Sequence, residues 1–508
     1  MNKKKMAGLL LGTLAFGAVF PQFNIAAAKE RPQTVVMTDG EVDDMDSFLR
    51  FLLYTNDVDV KGIIYTSSMW HYSGDGKGTL FESNMDWIKK FHPGKHTDLR
   101  WCGTDWIADY IEKYRSVYPK LSQHDKDYPT PDKLQSLVKV GNIEFEGEMA
   151  KDTEGSRWIE QLLLSSDKTP IYFETWGGSN TFARALKSIE DKYKGTSQWE
   201  KIYKQVSQKA ILYNIMNQDE TYKNYIAINW PDIKVAFNER QFVSIAYAWP
   251  QAAPSSQKKY FGGEWMQNNI LKGAIGGSYM TYGDGHKLAG DPEDKFGSLE
   301  FAQKNGYKQY DLISEGDSPS YLYLVDNGLR SYEDFSYGGW SGRLSPSQVV
   351  SNLWEDNIAS YDYNPETGKK DRFYSQTRWI KDFQNDFAAR VDWTLKDYKD
   401  ANHAPVVEIA EGLNQQVKPG QKITLHAKVS DPDGDKVTCR WYVYEEAGTY
   451  GAPVKLTAKG AEASLTVPVN IGGGETIHII CEAEDNGRIP LKHYARVILT
   501  AEEDDGLW

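Results

Sequence analysis

Residues 34–48 read TVVMTDGEVDDMDSF. The opening TVVMT is β-branched or apolar and uncharged, the pattern of a strand covered on both faces. Asp39 follows at the strand end, and Gly40 permits a sharp turn. Glu41, Asp43, Asp44 and Asp46 come next, while DDMDSFLRFLLY (43–54) carries apolar residues at helical spacing. Strand, glycine turn and helix in that order are the start of a β/α unit, with carboxylates gathered at the strand's carboxyl end. Helix capping and the macrodipole account for one or two such acids. They do not account for Asp39 converging on Asp43 and Asp44. Packed carboxylates repel and raise one another's pKa unless a cation sits among them. A hard cation such as Ca²⁺, taking about six to eight oxygens, would relieve that repulsion.

The same rhythm continues outward. VKGIIYTS (60–67), PIYFETW (170–176) and KAILYNI (209–215) read as strands; FESNMDWIKKF (81–91) and NTFARALKSIEDKY (180–193) read as helices. This predicts an α/β domain, a mainly parallel sheet with helices on both faces, over residues 29–400. Ligands of such sheets bind beyond the carboxyl ends of the strands. Residues 245–395 are rich in Gly, Tyr and Trp and read as long loops.

DANHAPVV (400–407) reads as a linker, and the pattern then changes. ITLHAKV, KVTCRWYVY, ASLTVPV, TIHIICEAED and YARVILT alternate at period two, which predicts an all-β immunoglobulin-like sandwich over 401–508. Its inward residues would be Val437, Cys439, Trp441 and Val443 on one strand, and Ile477, Ile479, Cys481 and Ala483 on another. Cys439 and Cys481 are therefore a disulfide candidate, the alternative being two buried free thiols; Cys102 is expected to stay unpaired. DPDGD (431–435) resembles a calcium loop, but its twelfth position is Tyr442 rather than an acid, so a sandwich turn is the better reading.

The 508 residues carry a net charge of −13, with 16 Trp and 31 Tyr. Nothing basic is in excess, which argues against a nucleic-acid partner. Lys3–Lys5, an apolar run from Met6 to Phe20 and Ala26–Ala28 have the form of a secretory signal peptide over residues 1–28. The mature chain is then expected to be secreted, periplasmic or on the cell surface. No other stretch is long and apolar enough for a membrane span. There is no phosphate-binding Gly-Lys-Ser/Thr loop, no nucleophile elbow, and no zinc-type His/Cys spacing.

The spacing in Asp39-Gly-Glu-Val-Asp43-Asp44 resembles the N-terminal calcium motif of nucleoside hydrolases. WGGSNTFARAL (176–186), AINWPD (227–232) and EGDSPSYLYLVDNGL (315–329) are similar to three further motifs of that family. Together with EGSRWIEQLL, YGGWSGR and ANHAPVV…SDPDGD, they resemble a secreted bacterial branch of nucleoside-hydrolase-like proteins described as cellulose-binding. The likeness covers nearly all of the mature chain. It implies Asp39, Asp44, the Asn180 main-chain oxygen and Asp317 as calcium ligands. Asp39 would also be the general base, Asp43 would bind a ring hydroxyl, and Asn229 would contact the sugar. The family often forms oligomers, so a homo-oligomer is an expectation too.

Two departures stand out: Glu41 replaces a usual glycine, and Gly316 occupies the position where the family often has a proton-donating His. Candidates for the missing acid are His71, Glu315 and Asp219. Trp70, Gln218, Trp340 and Arg343 are candidate sugar contacts; a turn at 217–219 and a glycine-built loop at 337–343 are the structural alternatives. The expected function is a calcium-dependent glycosidase acting on a furanosyl or plant cell-wall glycan. The alternatives are a non-catalytic cellulose- or polysaccharide-binding protein and a nucleoside N-ribohydrolase.

Overall fold

The computed structural model describes residues 31–503; the signal-peptide reading lies outside them. At its centre is β1 (Gln33–Thr38), all six residues of which are buried. Its side chains alternate between two cores. Val36 packs with Phe48, Leu49 and Ile111 on one face, while Val35 and Met37 pack with Ile159, Phe182 and Leu186 on the other. Apolar cover on both faces is what an uncharged, β-branched strand requires.

Around β1 lie β2 (Asp59–Tyr65), β3 (Val138–Val140), β4 (Ile171–Thr175), β5 (Ala210–Ile215), β6 (Lys234–Asn238), β7 (Ser345–Pro346) and β8 (Leu353–Glu355). Their order is β3-β2-β1-β4-β5-β6-β8-β7. Every pairing from β3 through β8 is parallel, and only the short edge strand β7 runs antiparallel. The predicted α/β architecture is therefore present.

Helix α1 (Val42–Leu52) follows β1 and is buried along its whole length, charged residues included. Asp46 accepts the Met280 N–H at 2.8 Å, and Arg50 is taken up by Glu315. The stretch 81–91 is helical only as α2 (Asp86–Phe91); Phe81 instead makes an isolated bridge to His96. Within 245–395, read as loops, the helix Ile380–Trp393 is a substantial buried element.

The small hairpin β9 (Asp362–Asn364) and β10 (Lys369–Asp371) precedes the sandwich. The sandwich has two four-stranded sheets. One comprises β11 (Val406–Ile409), β13 (Lys422–Ser430), β15 (Thr457–Lys459) and β16 (Glu462–Thr466). The other comprises β12 (Asn414–Val417), β14 (Thr438–Val443), β17 (Thr476–Glu484) and β18 (Lys492–Ala501). Between them lie Trp441, Ile477, Ile479, Cys481 and Ala483, with Val437, Cys439 and Val443 at the margin. Both Cys439 and Cys481 are free thiols. They sit diagonally across β14 and β17, Cys439 opposite Ala483 and Cys481 opposite Trp441. Asp431 accepts the N–H groups of Asp433 and Asp435, so DPDGD is a self-capped turn.

The outer face of the second sheet is not solvent-facing. Tyr444, Ile480 and Tyr494 belong to the same core as α1. Tyr444 donates to Asp362 and Tyr494 to Asp382, each at 2.6 Å. The two parts accordingly pack as one unit from Pro32 onward.

Candidate functional site

The loops after β1, β4, β5 and β6 meet on one edge of the sheet, beyond the strand carboxyl ends. They frame a cavity of about 630 Å³. Its floor is built by the turn into α1. Gly40 adopts φ +84, which favours glycine, and a Cβ there would meet the Trp106 indole nitrogen at 3.0 Å. That turn presents Glu41, Asp43 and Asp44 to the cavity. Asp44 is also a cap: it accepts the N–H groups of Asp39 and Glu41, both at 3.2 Å, and the Thr38 hydroxyl.

Capping does not exhaust the cluster. Asp43, Asp44 and Asp317 each offer a carboxylate oxygen, and all three oxygens lie within 4.8 Å of one another. All three groups are buried. Burial, then the neighbouring carboxylates, pushes Asp43 and Asp317 well above the usual carboxylate range; burial also raises Asp44. Asp317 Oδ2 and both oxygens of Asp39 have no partner of hydrogen-bond geometry among the described residues. Burial, Asp44 and Glu41 likewise push Asp39 up. A buried group of like charges with spare oxygens fits a metal ion. Asp43, rather than Asp39, completes the three-oxygen group, and Asp39 does not line the cavity.

Glu41 behaves differently. Burial alone would raise it, but His71, Arg100 and Tyr247 outweigh that and hold it down to about 2. His71 is fully buried. Its Nδ1 donates to the Arg100 carbonyl at 2.7 Å, and Nε2 faces Glu41 at 3.7 Å. His71 thus supports the floor from beneath and does not reach the cavity.

Gly177 and Gly178 let the loop after β4 close on the acids. A Cβ on Gly177 would sit 2.9 Å from Asp39, and one on Gly178 would sit 2.4 Å from an Asp219 oxygen. Gly316 is set by the same crowding: a Cβ there would meet Asp43 Oδ2 at 2.7 Å and Phe242 at 3.1 Å. A His there would therefore have to displace the Asp43 carboxylate.

Several predicted contacts are placed elsewhere. Glu315 is held by Arg50 at 2.6 Å and by the Tyr279 hydroxyl, so it has no free role as an acid. Asp219 Oδ1 accepts the Thr221 N–H and hydroxyl at 3.0 and 2.7 Å, Oδ2 is buried without a partner of hydrogen-bond geometry among the described residues, and the residue does not line the cavity. Asn229 bonds the Tyr225 carbonyl at 3.0 Å in the connection leading to the amino end of β6, and it lines no part of the cavity. Trp340 is buried in the core. Arg343 is buried on Asp362 at 3.0 Å. The Asn180 side chain ties Ser67, Asn142 and Glu148 together and is fully buried. Gln218 and Trp70 do line the cavity. Gln218 is oriented by the Trp176 and Ile215 carbonyls.

The cavity wall also contains residues not singled out from sequence. Trp87 and Phe91, an i,i+4 pair on α2, stack at 5.9 Å and 12°, and Phe91 lies 6.2 Å from Trp70. Both α2 aromatics are exposed, Trp87 by 45% and Phe91 by 53%. Their spacing on a short charged helix was the available signal. Phe242, Tyr247 and Phe373 come from the long loops, and Met216, at φ +62, closes β5 against the cavity.

The family described as "Cellulose-binding Sde182, nucleoside hydrolase-like domain" matches residues 33–344. The chain belongs to that family. A second family, "Cellulose-binding protein Sde0182, C-terminal domain", matches residues 422–501. Among solved structures, a nucleoside hydrolase-related hypothetical protein from Saccharophagus degradans, associated with carbohydrate metabolism, is 25% identical. It aligns with a TM-score of 0.69 over 93% of this chain and 100% of its own. The effector protein XOO4466 is 11% identical with a TM-score of 0.36, covering 72% of this chain and 95% of its own. A chimeric titin Z1Z2 is 22% identical with a TM-score of 0.14, over 20% of this chain and 99% of its own. The latter two are too distant to bear on function. No curated protein matches the chain.

Proposed function

We propose that this protein binds carbohydrate in the cavity at the strand carboxyl ends, on a floor that holds a divalent cation, calcium by its all-carboxylate donor set. One observation carries the reading: a single cavity combines an aromatic wall, half-buried Trp70 with exposed Trp87 and Phe91, with the Asp43 and Asp44 carboxylates, whose oxygens lie within 4.8 Å of one from Asp317. Stacking surfaces suit the apolar faces of sugar rings. A cation on those three side chains would supply a Lewis-acidic partner for sugar hydroxyls. Asp43 and Glu41 are placed to accept hydroxyl protons, and Gln218 offers an oriented amide. The family names and the Saccharophagus relative's association with carbohydrate metabolism support the same reading.

A second reading, hydrolysis of a glycosidic bond, is favoured by Asp39, a buried carboxylate beside the cluster with both oxygens unpartnered. The Arg50-bound Glu315, an Asp219 that does not line the cavity and the packed Gly316 leave that chemistry without the expected leaving-group acid, which favours binding over turnover.

The test is retention of labelled oligosaccharides from a cell-wall panel by wild type and by Asp43→Asn, with reducing-sugar release followed in parallel. Retention without release supports binding. Release that Asp43→Asn abolishes supports hydrolysis. Neither retention nor release in the presence of calcium overturns the carbohydrate reading.

A further inference from the structure

The cavity wall opposite in charge to the floor contains Arg240 and Arg372. A third guanidinium, Arg100, is committed: it grips Asp291 at 2.8 Å and lies 3.8 Å from Glu41. The other two have no such partner. Neither forms an ion pair within 4.0 Å among the described residues, although Glu239 near Arg240 and Asp356 near Arg372 feel their charge. Arg240 is exposed.

Both are nevertheless held in place. The Asp356 carboxylate accepts three successive backbone N–H groups, from Glu239, Arg240 and Gln241 at 3.3, 2.7 and 2.8 Å, which pins the loop that carries Arg240. Arg372 lies over the Tyr361 ring, 5.3 Å from its centroid, and its Nε donates to the Tyr361 hydroxyl at 2.7 Å. That leaves its terminal nitrogens for a ligand. Two guanidiniums without a close ion pair on the wall of one cavity, one positioned by Tyr361 and one on a pinned loop, offer an anion a fork that matches a carboxylate in two parallel hydrogen bonds. In a chain of net charge −13 such a pair is not a by-product of general basicity.

We infer that the cavity selects an acidic sugar, a uronate residue whose carboxylate is received by Arg240 and Arg372 while its ring lies against the aromatic wall. This rests on the carbohydrate reading above and adds the ligand's charge to it. Glu239, on the same pinned loop and lining the same cavity, opposes the anion and limits it to a singly charged group. Burial pushes Glu239 up to about 6, so the opposition eases in mildly acidic solution. A dianionic phosphate ester would meet the full repulsion.

Isothermal titration calorimetry of the full mature chain at fixed calcium tests this, using trigalacturonate, its methyl ester, cellotriose and a sulfated galacto-oligosaccharide. Trigalacturonate should bind about tenfold or more tighter than its methyl ester, the scale of one charge-assisted hydrogen-bond pair. The double variant Arg240→Gln/Arg372→Gln should remove that preference, acid and ester then binding within about twofold of each other. Glu239→Gln should strengthen trigalacturonate binding. The opposite signs of these variants separate recognition of charge from loss of fold, and unchanged thermal midpoints confirm the fold. Equal affinity for acid, ester and cellotriose would overturn the inference and leave the carbohydrate reading standing. Tightest binding of the sulfated sugar would overturn the carboxylate assignment. No binding by any of the four would overturn both.

Discussion

Replacing Asp317 by Asn should largely abolish the protein's stabilisation by calcium. The Asp43, Asp44 and Asp317 oxygens lie within 4.8 Å of one another. At that separation two full charges repel by about 3.5 kcal/mol at an effective dielectric constant of about 20. Two neighbours would cost Asp317 about 7 kcal/mol if every group stayed ionised. Taking up a proton at pH 7 costs a carboxyl with an ordinary pKa of 3.8 only about 4 kcal/mol. The metal-free protein therefore protonates the cluster, and the penalty is capped near that figure. Asn removes the penalty but leaves an amide to be satisfied, at about 1–3 kcal/mol. The chelated variant should then be as stable as chelated wild type, or up to about 3 kcal/mol more stable. Calcium at a hundred times its dissociation constant should stabilise wild type by about 2.7 kcal/mol. For 508 residues the unfolding entropy is about 1 kcal/mol/K, so the midpoint rises by about 3 °C. The variant, short of one ligand, should show little of that rise. Differential scanning fluorimetry with calcium or EDTA measures both effects. An equal calcium-induced rise in wild type and variant would refute the metal assignment.

Further outcomes are expected. Glu174, fully buried in β4 with Oε2 unpartnered, has its pKa raised well above 4.5 by burial. Its neutral folded form makes wild type lose stability as pH rises above about 4.5, by about 1.4 kcal/mol per unit until the folded pKa is reached. Glu174→Gln should flatten urea midpoints between pH 4 and 7, and curves parallel to wild type would contradict this. Gly316→His should not restore a proton donor. Its Cβ would press on Asp43 Oδ2, 2.7 Å away, so calcium affinity by calorimetry should fall while reducing-sugar release stays unchanged. Trp87→Ala, at a 45% exposed stacking position, should weaken oligosaccharide binding by about 1 kcal/mol with no change in thermal midpoint; undiminished affinity would remove the α2 aromatics from the site.

The sheet and the acidic turn were legible because both depend on local rules. TVVMT must be covered on both faces, and the β/α rhythm then orders the strands. Strands β6 and β8 and the helix Ile380–Trp393 were less legible. They sit among loop-like residues and are stabilised by packing against a core assembled elsewhere in the chain. The site divides the same way. Asp44 and Asp317, the two side-chain ligands the motifs imply alongside Asp39, lie together, but with Asp43, which the motif implied as a hydroxyl contact. Glu315, Asp219, Trp340 and Arg343 sit in equally suggestive motifs, yet each is spent on a buried partner or a core contact. A motif states which side chain stands next to which along the chain. It does not state which partner reaches that side chain from 200 or 300 residues away, as Glu315 reaches Arg50.

By itself, then, the sequence determined the two fold classes, the strand-end position of the carboxylates and the inward faces of the sandwich, because periodicity and turn chemistry act over a few residues. Tertiary structure alone decided the rest. It placed Trp87 and Phe91 over the floor and set Asp43 in the three-oxygen group. It set Gly316 against Asp43 Oδ2 and brought Arg240 and Arg372 to the cavity wall. Those outcomes depend on how distant loops share one strand-end edge, and on which charges burial forces into pairs.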